Sequence, residues 1–384
     1  MGIAPPAAVS AGPPLTVVQT LPEMHSGGVE RGVVEVGRAL VRAGHRSIVV
    51  SGGGRLVTQL KADGSEHVEM PIGKKSPMTL RLVKSLRGLL RSEGVDVLHA
   101  RSRVPAWVSF LAWRSMSKSN RPRFVTTVHG LHSVSRFSSV MTRGETVIAV
   151  SDTVREYVED NYPGCPPENI RVIPRGVDPD AFPYGHMPAD RWVTEFFEKH
   201  PECRGKRLVT LPGRLTRLKG HHDFLKVLEA SSEEVHGLIV GGKDPRRAAY
   251  AEELERAASA GPLAGRVTFT GHRSDLREVM SISDAVLSLS TKPESFGRTV
   301  LEALSLGRPV VGYDHGGVGE ILGNCFPEGR VPRGDTEAAA RVLDEVLHGF
   351  VLPAPVEGYR LSDMLDAVLG LYREVALASR GRAA

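Results

Sequence analysis

Residues Pro293–Val311 read PESFGRTVLEALSLGRPVV, and the rest of the chain is organised around them. Glu294 and Glu302 stand eight positions apart, with the short turn Ser295-Phe296-Gly297-Arg298 after the first. Thr299–Leu306 has the spacing of a helix, with Val300, Leu301 and Leu304 apolar. Gly307 stops it, Pro309 forbids its continuation, and a strand Pro309–Tyr313 is expected next. Glu294 therefore falls in the loop before a helix, beside that helix's unpaired first N–H groups, and Glu302 falls within its first turns. A helix start attracts phosphate. A carboxylate beside it suits a ligand that also carries hydroxyls, because a carboxylate accepts from O–H donors. A sugar nucleotide combines both.

The full string, Pro-Glu-Ser-Phe-Gly, then Leu-Glu-Ala, then Gly-x-Pro-Val-Val, resembles the signature of retaining GT-B glycosyltransferases of family 4. The resemblance implies an α/β architecture, the GT-B fold, with two Rossmann-like domains facing a central cleft.

Composition is compatible with this. The chain has 384 residues, comfortable for two domains, and a hydrophobic share of 41%, ordinary for a globular protein. A formal charge of +5 is too small to argue for nucleic acid, and suits contact with acidic lipid or an anionic sugar substrate. Cys165, Cys203 and Cys325 are scattered and odd in number, which suggests neither a disulfide framework nor a zinc site. The lead-in MGIAPPAAVSAGPP has neither the basic residues nor the apolar core of a secretory signal, and is expected to be disordered. No apolar run approaches the ~20 residues of a membrane helix, so a cytoplasmic protein is expected, with peripheral contact to an anionic membrane as an option.

In the first half, the strand Leu15–Gln19, the loop ending in Ser26-Gly27-Gly28, the helix Val29–Ala43 and the strand Ser47–Ser51 open a Rossmann-like half. Gly27 and Gly28 let backbone approach a ligand closely. The full Gly-x-Gly-x-x-Gly pattern is missing, so nicotinamide binding is poorly supported. By resemblance this loop faces the donor and acceptor. Lys74–Arg91 gathers Arg81, Lys84, Arg87 and Arg91 near one helical face, either a solvated basic face or a contact for an anionic membrane or a phosphorylated acceptor. The strand Asp96–His99 runs into the loop Arg101–Trp107, where Arg101, Ser102 and Arg103 are candidate ligands for an acceptor phosphate. The strand Phe124–Val128 ends at His129, which by resemblance lies near the transferred sugar. His129 and His132 have no third ligand at recognisable spacing, so a metal site is rejected. Ser151 is placed to cap the helix Asp152–Glu159. The family usually has Asn where Arg175 stands, which puts any inherited role there in doubt. Asp178-Pro179-Asp180 spells the metal-nucleotide motif of another glycosyltransferase fold, and reads as coincidence in a proline-rich stretch.

The second half repeats the Rossmann-like pattern. Gly213–Gly220 follows the strand Leu208–Leu211, and its Arg214 and Lys219 suit a diphosphate, one as a planar fork and one as a compact charge. They match the family's Gly-Arg…Lys-Gly motif. By resemblance the loop Gly271–Leu276 reads the nucleotide base, with Arg273 close to the ring. Gly316-Gly317-Val318-Gly319-Glu320 is expected to be another glycine-rich turn. The division expected is an acceptor domain over 1–178, a hinge over 179–205, a nucleotide-sugar domain over 206–360, and a last helix within 361–384 crossing back to the first domain.

The resemblance implies transfer of a sugar from a nucleotide-sugar, a UDP-sugar favoured, to a glycan or lipid-linked acceptor of the cell envelope, such as lipopolysaccharide core, with retention. His129, Arg214, Lys219 and Glu294 carry the chemistry. Gly27, Gly28, Arg273, Ser295, Phe296, Gly297, Arg298 and Glu302 hold the donor. No metal or other cofactor is expected. Other GT-B enzymes, an epimerase or a phosphorylase, and a non-catalytic nucleotide-sugar-binding protein are the alternatives.

Overall fold

The computed structural model describes residues 13–25, 27–242 and 248–380. Most of the expected disordered lead-in, and Ser26 of the glycine loop, lie outside the described residues. The chain divides into two units. The first holds residues up to Val150, Val154–Ile173 and the chain from Asp363 onward; the second holds Ser151–Thr153 and Pro174–Ser362.

The first unit runs β1 (Thr16–Thr20), α1 (Gly28–Arg42), β2 (Arg46–Ser51), α2 (Val57–Ala62), β3 (Glu66–Glu69), α3 (Leu82–Ser92), β4 (Val97–Ala100), α4 (Arg103–Arg114), β5 (Arg123–Val128), β6 (Thr146–Ala149), α5 (Asp152–Asn161) and β7 (Ile170–Val172). The seven strands are parallel, in the order β3-β2-β1-β4-β5-β6-β7. Runs such as SIVV in β2 and VLHA in β4 are buried on both faces, which is why they are mostly apolar instead of alternating, with Ser47 and His99 as the buried polar exceptions.

The second unit runs α6 (Asp190–Lys199), β8 (Arg207–Pro212), α7 (His221–Ala230), β9 (Val235–Val240), α8 (Ala248–Ala258), β10 (Val267–Gly271), α9 (Leu276–Ser281), β11 (Ala285–Ser288), α10 (Arg298–Ser305), β12 (Val310–Tyr313), α11 (Gly316–Cys325), β13 (Arg330–Val331) and α12 (Thr336–Leu347). Its parallel order is β10-β9-β8-β11-β12-β13. In each sheet the order reverses once, between β1 and β4 and between β8 and β11. Ligands of open parallel sheets sit outside the strand C-terminal ends at such a switch point.

The last helix, α13 (Leu361–Arg380), places Val368, Leu369, Leu371, Tyr372 and Ala376 in one core with Val17, Val36, Leu40, Val97 and Val125. Its apolar stripe is thus buried in the first unit. Residues 179–205, expected as a hinge, are counted in the second unit, and the division falls after Ile173. Phe196 of α6 packs there with Leu208, Leu238 and Val279. The aromatic content of this stretch gives it a packing role that its proline and charge content conceals.

Candidate active site

In the second unit Glu294 follows β11 and Lys219 follows β8, on the two strands flanking the switch point. Lys219 Nζ lies 2.8 Å from Glu294 Oε1. Ser290 Oγ donates to the same oxygen. His315 Nε2 lies 2.7 Å from the Ser290 carbonyl. Burial pushes the Glu294 carboxyl up, but Lys219, Ser290 and His315 together outweigh it and hold the group below its ordinary range. Glu294 is therefore ionised at neutral pH.

Three loops are locked around this pair by backbone contact. Thr291 N donates to Leu218 O at 2.9 Å, and Gly317 N to Glu294 O at 2.8 Å. Gly220 is left-handed, with φ 71°, and a Cβ there would stand 1.8 Å from the Leu289 carbonyl oxygen. A Cβ on Gly317 would stand 2.4 Å from Phe296 Cα. The Lys219 side chain crosses Gly213 so closely that a Cβ there would come within 3.1 Å of it. Glycine is required at these positions for close approach.

Gly297 has φ 95° and precedes α10, and its carbonyl accepts from the N–H groups of Val300 and Leu301 at 3.0 and 3.3 Å, so the chain turns sharply into the helix. Phe296 is buried beneath this turn and meets the Tyr359 ring edge-on. The Ser295 carbonyl accepts from Ser151 Oγ at 2.7 Å. Glu302, 5% exposed, accepts from Arg298 Nε at 3.1 Å. Arg214 is exposed, with no ion-pair partner among the described residues.

Several sequence expectations need correction. Gly316–Glu320 is the first half of α11, not a turn; its glycines admit the neighbouring backbone of Glu294 and Phe296. At the start of α5, the N–H groups of Asp152 and Thr153 donate to the Glu320 carboxylate, at 3.0 and 2.5 Å, in the place expected of the Ser151 hydroxyl. Arg273 makes a bidentate pair with Asp275, at 2.8 and 2.6 Å, and its guanidinium lies over the mutually stacked rings of Trp192 and Phe196. That face of its guanidinium is committed to packing α6. The Asp-x-Asp string, by contrast, fits its reading as coincidence: Asp178 Oδ1 accepts from Asp180 N at 3.0 Å in a local turn.

In the first unit Gly27 caps α1 after β1, with φ 149°, and Gly28 begins the helix; both are exposed. His129 follows β5 and is half-buried. The segment Arg101–Trp107 is mostly helix rather than loop, since α4 starts at Arg103. Arg101, 6% exposed, donates from Nη2 to Gln19 Oε1 at 2.6 Å, in an interior shared with Tyr372. Burial pulls its pKa down. Ser102 precedes α4 in extended conformation, and Arg103 Nη1 donates to Ser138 Oγ at 3.2 Å. Of the three, Arg103 and Ser102 stay at the strand end and Arg101 is turned into the core.

Glu202, Cys203 and His236 bring their donor atoms within 4.8 Å of one another in the second unit. The Thr268 hydroxyl ties the group together, 2.7 Å from Glu202 and 2.9 Å from His236. Burial pushes the Cys203 thiol up to about 11. Ser290 and His315 around Glu294 went unread in the sequence; their position, closing one strand and opening one helix at the switch point, was the available signal. Among the described residues no helix is long and apolar enough to cross a membrane.

Two family descriptions match the chain. Glycosyltransferase Family 4 covers residues 26–181, and Glycosyl transferases group 1 covers residues 193–351. A 2-deoxystreptamine N-acetyl-D-glucosaminyltransferase of Streptomyces fradiae is 33% identical over 229 residues, 56% of this chain and 52% of that protein. The chain thus spans about half the length of that relative. A crystal structure of a glycosyltransferase from Rickettsia africae superposes with a TM-score of 0.80 at 28% identity, over 94% of this chain and 98% of that one. HepE of Anabaena, in complex with UDP and glucose, superposes with a TM-score of 0.73 at 19% identity, over 96% of this chain and 98% of that one. Two parallel Rossmann-like units, both family matches and these neighbours agree: the chain belongs to the GT-B glycosyltransferases, with a family 4 first part and a group 1 second part.

Proposed function

We propose that the protein transfers a sugar from a nucleoside diphosphate sugar, with a UDP-sugar favoured, to a phosphorylated or lipid-linked acceptor of the cell envelope. The observation that carries this reading is the Lys219–Glu294 pair at the β8/β11 switch point, a cation for diphosphate beside an ionised acceptor for sugar hydroxyls. Arg214 and Lys219 neutralise the leaving diphosphate, and the α10 N-terminus adds backbone donors. Glu302 accepts from the ribose hydroxyls, displacing Arg298. HepE, whose crystals hold UDP and glucose, supports the choice of base. The first unit receives the acceptor through Arg103, Ser102 and the α4 N-terminus, and His129 serves the sugar by family resemblance alone.

Transfer proceeds on one face of the sugar. The bond from the anomeric carbon to the leaving phosphate oxygen breaks, the acceptor oxygen bonds that carbon, and the acceptor proton passes to the leaving phosphate. The configuration is retained. Two basic side chains on the diphosphate allow this without a divalent cation.

A thermal-shift screen with UDP-, GDP- and ADP-sugars, with and without EDTA, tests the reading, because a ligand of the folded state raises the midpoint by mass action. We expect one base to shift it, EDTA to leave the shift intact, and Lys219→Ala to abolish it. A panel without any shift contradicts the donor site; a shift lost in EDTA contradicts the metal-free reading.

A further inference from the structure

The first unit contains a cavity of about 520 Å³ that the donor chemistry does not use. One wall is a single face of α4, formed by Val104, Trp107, Val108 and Leu111. The opposite side is formed by Leu80 and the Lys74–Thr79 segment, with Phe137 closing one edge. The size is that of a small-molecule site, typically about 300–1,000 Å³. Trp107 Nε1 donates to the Phe137 carbonyl at 2.9 Å, so the indole's polar atom is satisfied and its faces are left apolar.

The rim has two properties. It is apolar where it is exposed: Leu80 and Phe137, which line it, are 58 and 44% exposed, and Met78, between the lining residues Ser76 and Thr79, is 65% exposed. Exposed apolar side chains gathered in this way mark an interaction site. It is also cationic. Lys74 and Lys75 line the cavity, Arg103 lies over the Phe137 ring, Arg143 lies over the Trp107 ring, and no acidic residue is among the lining residues described. The chain's first twelve residues, MGIAPPAAVSAG, carry no acidic group and so do not match this rim. An apolar chain bearing a phosphate does.

We infer that this cavity takes the alkyl chain of an amphiphilic acceptor whose phosphate is met by Lys74 and Lys75, a subsite that begins where α4 leaves the β4 strand end. The inference rests on the glycosyltransferase reading and adds the acceptor's chemical class. A single chain, not a bilayer face, is the occupant, because the apolar surface is concave and sized for one small ligand.

Titration of the full chain with hexyl, octyl and decyl phosphate below their micellar concentrations, with inorganic phosphate and decanol as controls, tests it by calorimetry. Full burial of a methylene strengthens binding about fourfold. We expect at least a tenfold rise from hexyl to decyl phosphate, weak binding of inorganic phosphate, and weaker binding of decanol than of decyl phosphate. Leu111→Trp, which fills the cavity, should flatten the chain-length series. Leu80→Glu, on the exposed rim, should do the same without threatening the fold, and Lys74→Glu with Lys75→Glu should remove the preference for phosphate. Affinity independent of chain length, or a series unaltered in Leu80→Glu, overturns the inference. So does binding to phosphatidylglycerol vesicles with none to monomeric decyl phosphate. The nucleotide-sugar thermal shift, measured on the same variants, separates failure of this subsite from failure of the glycosyltransferase reading.

Discussion

Lys219 Nζ and Glu294 Oε1 stand 2.8 Å apart across the switch point of the second sheet, both side chains largely shielded from water. The pair holds the site in register before any ligand arrives, and each partner has a second task when one does. A double-mutant cycle of Lys219→Ala and Glu294→Ala, read by urea denaturation, should give a coupling of about 1–2 kcal/mol, in the range of charge-assisted bonds. Glu294 stabilises the fold when ionised, because its folded pKa is depressed. That contribution is full above the unfolded pKa of about 4.5 and is lost as the pH falls through the folded value. In Lys219→Ala the largest of the groups opposing burial is gone, only Ser290 and His315 remain against it, and the carboxyl pKa should rise.

His221 begins α7, just after Lys219, and is fully buried. Burial pulls its pKa down to about 4 from the ordinary 6.5. The unfolded chain therefore binds a proton that the folded one refuses between those values. Stability from this residue is full above pH 6.5 and falls by about 3 kcal/mol as the pH drops to about 4. His221→Leu should flatten that part of the stability curve, measured by urea melts at fixed pH values.

Gly220 and Gly205 have nearly the same left-handed backbone, φ 71° and 69°, but only Gly220 faces another carbonyl, with open space around Gly205. Alanine at Gly205 should cost about 1–2 kcal/mol, the conformational penalty alone. Alanine at Gly220 must also displace Leu289, and should cost about 3 kcal/mol or more and abolish the nucleotide-sugar thermal shift.

Tyr372 of α13 is fully buried, with its hydroxyl 2.6 Å from His99 Nδ1, and His99 Nε2 is 2.6 Å from the Thr127 hydroxyl. Tyr372→Phe leaves His99 with an unsatisfied ring nitrogen and should cost about 1–3 kcal/mol in thermal or urea melts. The last helix thereby supports the strand end that carries Arg101.

Burial pushes all three thiols, Cys165, Cys203 and Cys325, up to about 11. The native protein at pH 8 should react slowly with a disulfide reagent, and three thiols should titrate promptly once it is unfolded in guanidinium.

Much of this architecture was readable before any coordinates. The strands are mostly apolar because parallel strands are buried on both faces, and glycines punctuate the elements: Gly213 after β8, Gly220 and Gly297 before α7 and α10, Gly307 after α10. The pattern Glu294…Glu302 with Arg214 and Lys219 named the second unit's loops, because charged residues beside glycines at strand ends are local facts of the chain. The tertiary structure decided which of those charges meet. It joined Lys219 to Glu294 across 75 residues, put Ser290 and His315 behind them, tied Arg273 to Asp275 and turned Arg101 away from the surface. Local patterning sets period, ends and charge, and so determines elements and their order. Hydrogen-bond partners and burial depend on which strands become neighbours, and the cavity beside α4 exists only because segments around Lys74, Val104 and Phe137 converge on it.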